Sequence, residues 1–142
     1  MVATVPHLID NGGGSIIATG STAAIKGFPY GAPYVAAKHG VVGIARGMAI
    51  ELAPHSIRVN TIHPTGVDTN MAPYAFEGVA RMEEKGHLTP EARQAMEASL
   101  GNLLPVELVD ARDISNTVLY LASDESRYVT GLELKIDAGS TL

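Results

Sequence analysis

Two residues in this 142-residue chain stand at a spacing that can do acid–base chemistry, Tyr34 and Lys38. Four positions apart on a helix, they share one face and lie one turn from each other. An ammonium beside a phenol stabilises the phenolate, and a phenol so placed can exchange a proton with a substrate hydroxyl near neutral pH. Alone the pair says little. Five Tyr and four Lys in this length give about 0.14 such pairs by chance, and two residues on a half-exposed helix face is the ordinary alternative. Ser21 supplies context. It sits thirteen residues before Tyr34, just beyond a short β-branched run, where open α/β sheets place their ligands. A serine hydroxyl there can donate to a carbonyl oxygen while Tyr34 protonates it. A third element, Pro64-Thr65-Gly66-Val67-Asp68-Thr69, follows the next predicted strand and offers backbone groups to a planar ligand at the same edge.

The elements that must position these groups follow from periodicity. Val5, Leu8 and Ile9 before Asp10-Asn11-Gly12-Gly13-Gly14 read as the last turns of a helix with a glycine stop. Ser15–Thr19 reads as a strand buried on both faces, and 20–33 as loop. Val35, Val42, Ala45, Ala49 and Leu52 recur at helical steps and predict a helix over Ala32–Ala53, with Pro33 in its first turn. Ile57–Ile62 predicts a strand stopped by Pro64 and Gly66. Residues 67–109 form a polar–apolar excursion with two short helices, the second over Pro90–Leu100. Asp110 caps a predicted helix Ala111–Ala122, with Asp113 favourable to its dipole and Ile114, Val118, Leu119 and Leu121 as the expected buried stripe. Leu132–Ile136 alternates strictly and predicts an edge-like strand. Strands alternating with helices imply a parallel sheet and an α/β fold. The first strand lacks a candidate partner on its far side.

Composition narrows the class. A 46% hydrophobic, 18% charged chain can bury one core. A net charge of -5 without a basic block argues against nucleic acid, and no apolar run is long enough to span a bilayer. Zero cysteines remove disulfides, thiolate metal sites and a Cys nucleophile. Met1-Val2-Ala3-Thr4 lacks the features of a signal peptide, so a cytoplasmic location is expected. His7, His39, His55, His63 and His87 never fall at ligand spacing and are read as surface or packing histidines, with no metal. The Gly12-Gly13-Gly14 triplet precedes a strand, whereas a dinucleotide fingerprint follows one.

Ser21, Tyr34-Val35-Ala36-Ala37-Lys38, Arg58-Val59-Asn60 and Pro64-Thr65-Gly66 together resemble the Ser/Tyr-x-x-x-Lys half of a short-chain dehydrogenase/reductase. The likeness continues through Asp113-Ile114-Ser115-Asn116, Leu121-Ala122-Ser123-Asp124-Glu125, Tyr128-Val129-Thr130-Gly131 and Asp137-Ala138-Gly139-Ser140-Thr141. The wording Thr61-Ile62-His63-Pro64-Thr65-Gly66-Val67 is similar to the mycofactocin-associated, carveol-dehydrogenase-like subgroup.

The resemblance implies the last three strands of a Rossmann-type doubly wound sheet, forming one partial domain over residues 1–142. It implies hydride transfer between a nicotinamide cofactor and a secondary alcohol or ketone. Tyr34 would be the general acid/base, Lys38 would orient the nicotinamide ribose and favour the Tyr34 phenolate, and Ser21 would hold the substrate oxygen. Pro64, Gly66, Val67 and Thr69 would join Tyr34 and Lys38 around the cofactor, with NAD implied and NADP left open. Residues 70–109 would form a substrate lid whose Met71, Tyr74, Phe76 and Met82 suit a small apolar substrate, plain lid packing being the alternative. The family's Gly-rich fingerprint, its first four strands and its Asn-Ala-Gly segment have no counterpart in the 142 residues. Three readings follow: the C-terminal half of an oxidoreductase, an assembly module without catalysis, or one half of a split enzyme completed by an N-terminal partner. Pairing as a homo-oligomer through the long helix and last strand is the family habit. The isolated chain is expected to be inactive.

Overall fold

The computed structural model describes residues 2–142, with the side chains of Val2, Tyr74, Ala75 and Phe76 outside that description. Strand β1 (Gly14–Thr19) begins where helix α1 (Val5–Asp10) runs into the glycine triplet. Gly13 has φ +138, and a Cβ there would lie 2.7 Å from the Ser56 carbonyl oxygen, so only glycine lets the chain turn this close to its neighbour. β1 pairs in parallel with β2 (Ile57–Pro64), and β2 pairs in parallel with β5 (Glu133–Ile136), giving the order β1-β2-β5. The parallel α/β arrangement matches the periodicity, and β1 forms one edge of the sheet.

Long helix α2 (Ala32–Leu52) crosses one face of that sheet. Val42, Ala45, Ala49 and Leu52 are buried and recur every three or four residues, so one stripe of the helix meets the sheet. Small side chains at Ala45 and Ala49 let it pack closely on Ile16, Ile57 and Val59, and these five form the core cluster together with Leu52. Helix α5 (Ala111–Ala122) lies against the sheet's other face, tied there by the Ser15 hydroxyl, which donates to the Leu121 carbonyl at 2.8 Å.

Two expectations about burial need correction. β1 is not buried on both faces: Ile16 and Ala18 are buried under α2, while Ser15 and Ile17 are only half-buried beneath α5. The stripe of α5 is not Ile114, Val118, Leu119 and Leu121. Leu121 is fully buried and Ile114 half-buried, but Val118 and Leu119 are exposed, Leu119 at 68%. Leu119 is two residues from Leu121, hence roughly 200° around the helix, so the face that buries one turns the other to solvent. The stripe that meets the sheet is Ile114, Thr117 and Leu121.

The middle of β2 is polar and yet closed from water. Asn60, Thr61 and His63 are at most 1% exposed. Buried polar groups need partners, and Asn60 finds two: its amide donates to the Val129 carbonyl at 2.9 Å and its Oδ1 accepts the Leu132 N–H at 2.9 Å. The side chain thus extends the sheet to a segment not yet in strand geometry. Arg58 does the same work lower down, donating to Ser126 Oγ at 2.8 Å and to the Ser123 carbonyl at 3.2 Å.

Between β2 and α5 the chain leaves the sheet. Two-residue strands β3 (Val67–Asp68) and β4 (Val109–Asp110) pair in parallel and close the base of this excursion. No period marks elements so short, and the sequence does not reveal them. The excursion carries α3 (Ala72–Glu84) and α4 (Pro90–Leu100), the latter over the predicted residues and capped by Thr89, whose hydroxyl accepts the Ala92 N–H at 3.2 Å. Among the described residues no helix is long and apolar enough to cross a membrane.

Candidate active site

The residues singled out for chemistry gather at the C-terminal ends of the three long strands. β1 ends at Thr19, and Gly20 continues the ladder by donating its N–H to the Ile62 carbonyl at 2.8 Å. Ser21 then caps a short turn, Thr22–Ala24, that packs on α2. Its Oγ accepts the Ala23 N–H at 3.1 Å. That bond uses a lone pair, and among the described residues no protein acceptor takes the hydroxyl proton, so it is free to donate to a ligand.

Tyr34 lies in the first turn of α2, 48% exposed. Phe28 steadies its ring at a centroid distance of 6.3 Å and a tilt of 53°. One turn on, Lys38 stands with its Nζ 5.6 Å from the centre of the Tyr34 ring. Nζ also donates to the Thr19 carbonyl at 3.1 Å, which draws the ammonium back over the end of β1. One proton of three is used, and two remain for a ligand hydroxyl. The helix face carrying Tyr34 and Lys38, the end of β1 and the Ser21 turn therefore meet at one rim.

Pro64, Gly66, Val67 and Thr69 form the neighbouring rim. Pro64 closes the β2–β5 ladder opposite Ile136. Gly66 accepts the Val109 N–H at 2.9 Å, and Val67 lies half-buried in β3. The Thr69 hydroxyl accepts the Met71 N–H at 3.3 Å in the turn that leads to α3. Met71 is 77% exposed and Met82 half-buried; Tyr74 and Phe76, expected to face an apolar substrate, lie outside the described residues.

Two further residues hold this rim: the sequence reading did not single out Asn102, and it quoted Asp137 only within a resembling segment and without a role. Asn102 accepts the Thr65 hydroxyl at 3.0 Å and donates to the Val106 and Glu107 carbonyls at 2.9 and 3.2 Å. It joins the 64–66 loop to the end of the excursion. An Asn inside a loop carries no period that could announce this. Asp137 organises the turn after β5, accepting the Gly139 and Thr141 N–H groups and the Thr141 hydroxyl. Burial pushes its carboxyl up, but those hydrogen bonds and the Lys135 charge outweigh it and hold the group below the usual carboxylate range. Lys26, from the segment after Ser21, donates to the Ser140 carbonyl and closes the ring of loops.

A separate hollow lies away from these residues. Among the described residues no three His, Asp or Glu side chains gather as ligands. A cavity of about 510 Å³ lined by Gly14, Ser15, Arg58, Asp124 and Arg127 opens at the opposite, N-terminal end of the strands. Its Arg58 is already engaged by the carbonyls around Ser123, and ligands of parallel sheets sit at the other end.

Comparison with known proteins gives a consistent relationship. Residues 1–141 match the family model described as enoyl-(acyl carrier protein) reductase. A short-chain type dehydrogenase/reductase of Mycolicibacterium smegmatis is 51% identical over 142 residues, covering 99% of this chain and 50% of that protein. The (-)-trans-carveol dehydrogenase of Rhodococcus erythropolis is 44% identical over 140 residues, covering 97% and 50%. Among solved structures, a Mycobacterium paratuberculosis short-chain dehydrogenase bound to NAD superposes with a TM-score of 0.84 at 40% identity, covering 99% of this chain and 50% of that one. Carveol dehydrogenase from Mycobacterium avium in complex with NAD gives 0.80 at 46% identity, covering 98% and 50%. The chain spans about half the length of the curated relatives it matches.

Proposed function

Because the chain belongs to the short-chain dehydrogenase/reductase family, we propose that it carries the proton-transfer half of an NAD-dependent site for small apolar secondary alcohols or ketones. The approach of Lys38 to Tyr34 at the rim beside Ser21 is the observation behind this reading. In alcohol oxidation the deprotonated Tyr34 oxygen takes the substrate's hydroxyl proton; in ketone reduction the Tyr34 hydroxyl returns one. The Lys38 ammonium stands 5.6 Å from the centre of that ring, on the side from which a ligand would approach both groups. The Ser21 hydroxyl donates to the same substrate oxygen and fixes its distance from Tyr34. When held beside Tyr34 and Lys38, a nicotinamide would provide the hydride chemistry at the substrate carbon.

The residues present fit one half of that cofactor. Lys38 has two N–H groups free for ribose hydroxyls, and Tyr34 is exposed on the same face. Pro64, Gly66, Val67 and Thr69 would border the nicotinamide and first phosphate. The adenosine side has no glycine-rich strand–turn–helix among the 142 residues to receive it. The segment 70–109 would be the lid, and its exposed Met71 and Leu104 favour an apolar substrate. The relative named for carveol acts as the guide to substrate class.

The free edge of β1 favours a second element of the proposal. A strand with one unpaired side invites pairing, and a complementing N-terminal half would cover it and bring the missing cofactor contacts. Exposed Ile44 and Ile50 on α2 suit pairing with a second copy. The 142 residues alone are proposed to bind NADH too weakly to turn over. Titration of the isolated chain should therefore give no saturable NADH fluorescence change in the micromolar range. Saturation there would overturn the proposed division of labour. In a cofactor-competent assembly, alicyclic secondary alcohols should reduce NAD in preference to sugars, and indifference between them would remove the apolar-substrate assignment.

A further inference from the structure

His63 is a fully buried titratable side chain that the proposed chemistry does not use. It stands near the end of β2, next to Pro64 and directly beneath the Ser21 turn. Its Nδ1 lies 3.0 Å from the Ser21 carbonyl oxygen and its Nε2 lies 2.8 Å from Thr61 Oγ1. A carbonyl can only accept, so Nδ1 carries the proton, and in the neutral ring Nε2 must then accept. The Thr61 hydroxyl has two candidate acceptors, His63 Nε2 at 2.8 Å and the Leu132 carbonyl at 3.4 Å. The shorter contact takes the proton. The chain Thr61 hydroxyl, imidazole, Ser21 carbonyl therefore has one consistent direction.

Gly20 is part of the same arrangement. A Cβ built there would come within 2.7 Å of both Cε1 and Nδ1 of His63. Its backbone does not need a positive φ, so its smallness serves close approach and nothing else. The ring presses on Gly20 from below and holds the next residue's carbonyl from the side. The Ser21 carbonyl also accepts the Ala24 N–H at 2.9 Å, so its orientation sets the whole Ser21–Ala24 turn. The Ala23 N–H that fixes Ser21 Oγ belongs to that turn.

We propose that His63, in its Nδ1–H form, is a positioning residue that locks the Ser21 turn from beneath and thereby aims the Ser21 hydroxyl. The proposal rests on the reading of Ser21 as the group that holds the substrate oxygen. It does not touch substrate; it acts through one backbone carbonyl.

The test needs no cofactor. Long-range proton–nitrogen correlation spectra of the chain should show His63 as the neutral Nδ1–H tautomer. Amide exchange of Ala24 should be about five- to tenfold faster in His63→Phe, the effect of one lost buried hydrogen bond. His63→Asn, whose amide nitrogen replaces Nδ1, should bring exchange back toward the native rate, with the Thr61 amide unchanged in both. Should His63→Phe not fold, His63→Gln takes its place, since its amide nitrogen reaches the position of Nε2 instead. An Nε2–H tautomer, an unaltered Ala24 rate in the donor-less variant, or an Asn variant no better than Phe or Gln overturns the lock. Turnover in a cofactor-competent assembly separates this from the parent reading. If Ser21→Ala keeps its rate, the role of Ser21 fails whatever the exchange data show. If Ser21→Ala is slow but His63→Phe keeps its rate, the positioning role alone fails.

Discussion

Around Ser21 the chain is fixed by buried hydrogen bonds between segments far apart in sequence, whereas α3 and α4 are fixed to each other largely at the surface. Beneath the rim, Ile57, Val59, Ile62 and His63 are at most 1% exposed, and the polar groups of β2 each have a partner. In the excursion, the described buried side chains are Leu88 and Met96. An ion pair of Arg93 with Glu83 at 2.6 Å joins α3 to α4, while the pairs of Arg93 with Glu97 at 2.8 Å and of Arg81 with Glu77 at 3.1 Å each lie within one helix. Such exposed pairs add little and weaken with salt. A proton-transfer site needs groups held to a fraction of an ångström, while a lid must open for its substrate. Under the proposed function the rim would have the first task and the excursion the second, and the contrast in packing suits that reading.

The comparison can be broken first by unequal cavities. Ile62→Ala should lower global stability by about 2–5 kcal/mol, the usual cost of emptying a packed site. Met96→Ala should loosen amides of the excursion while leaving the midpoint of sheet unfolding nearly unmoved. Denaturant titration with residue-resolved exchange distinguishes the two, and equal global losses would contradict the division into rigid rim and loose excursion.

Asn102 sharpens the comparison because it belongs to both regions. Asn102→Ala removes three side-chain hydrogen bonds, and a net loss of about 1–2 kcal/mol is expected. The signature to look for is coupled loosening: amides of 64–66 and 104–108 should speed up together. Loosening confined to 104–108 would show that the rim does not depend on this link.

A smaller effect concerns the Asp137 turn. Its carboxyl is held below the ordinary carboxylate value, so the stabilisation it gives is complete above the unfolded value of about 3.9 and is lost as pH falls through the lower folded value. Gly139 and Thr141 amide signals should hold steady above about pH 4 and move in stronger acid, and Asp137→Asn should remove that step. Signals that ignore acid would mean the turn is held by other contacts.

Much of this arrangement is legible in the residues themselves. Periodicity places α2, α4, β1 and β2, and the glycine triplet places the end of α1, because each has a strong local pattern and a covered face. The same reasoning places α5 over Ala111–Ala122 with its Asp110 cap but misassigns its buried stripe. Its apolar residues surround much of the helix, but the sheet covers only the line through Ile114, Thr117 and Leu121, and coverage is a property of the neighbour. β3 and β4 are too short to show a pattern, and Asn102 acts through backbone groups that no side-chain spacing records. The histidines illustrate a third case. Grouping all five as surface or packing residues describes His63 correctly as packed, yet the Ser21 carbonyl it meets lies 42 residues away in sequence. Tyr34 and Lys38 were accessible because a helix turn makes their contact local.

The central claim is that Tyr34 moves the substrate proton, and kinetics of Tyr34→Phe in a cofactor-competent assembly test it most directly. The phenol oxygen is lost while the ring, its contact with Phe28 and the Lys38 bond to Thr19 remain possible. Turnover should fall by about 10²–10⁴-fold, the usual range for removing a general acid/base, with NAD affinity within a few-fold of the parent. Turnover at the parent rate with cofactor bound would contradict the account.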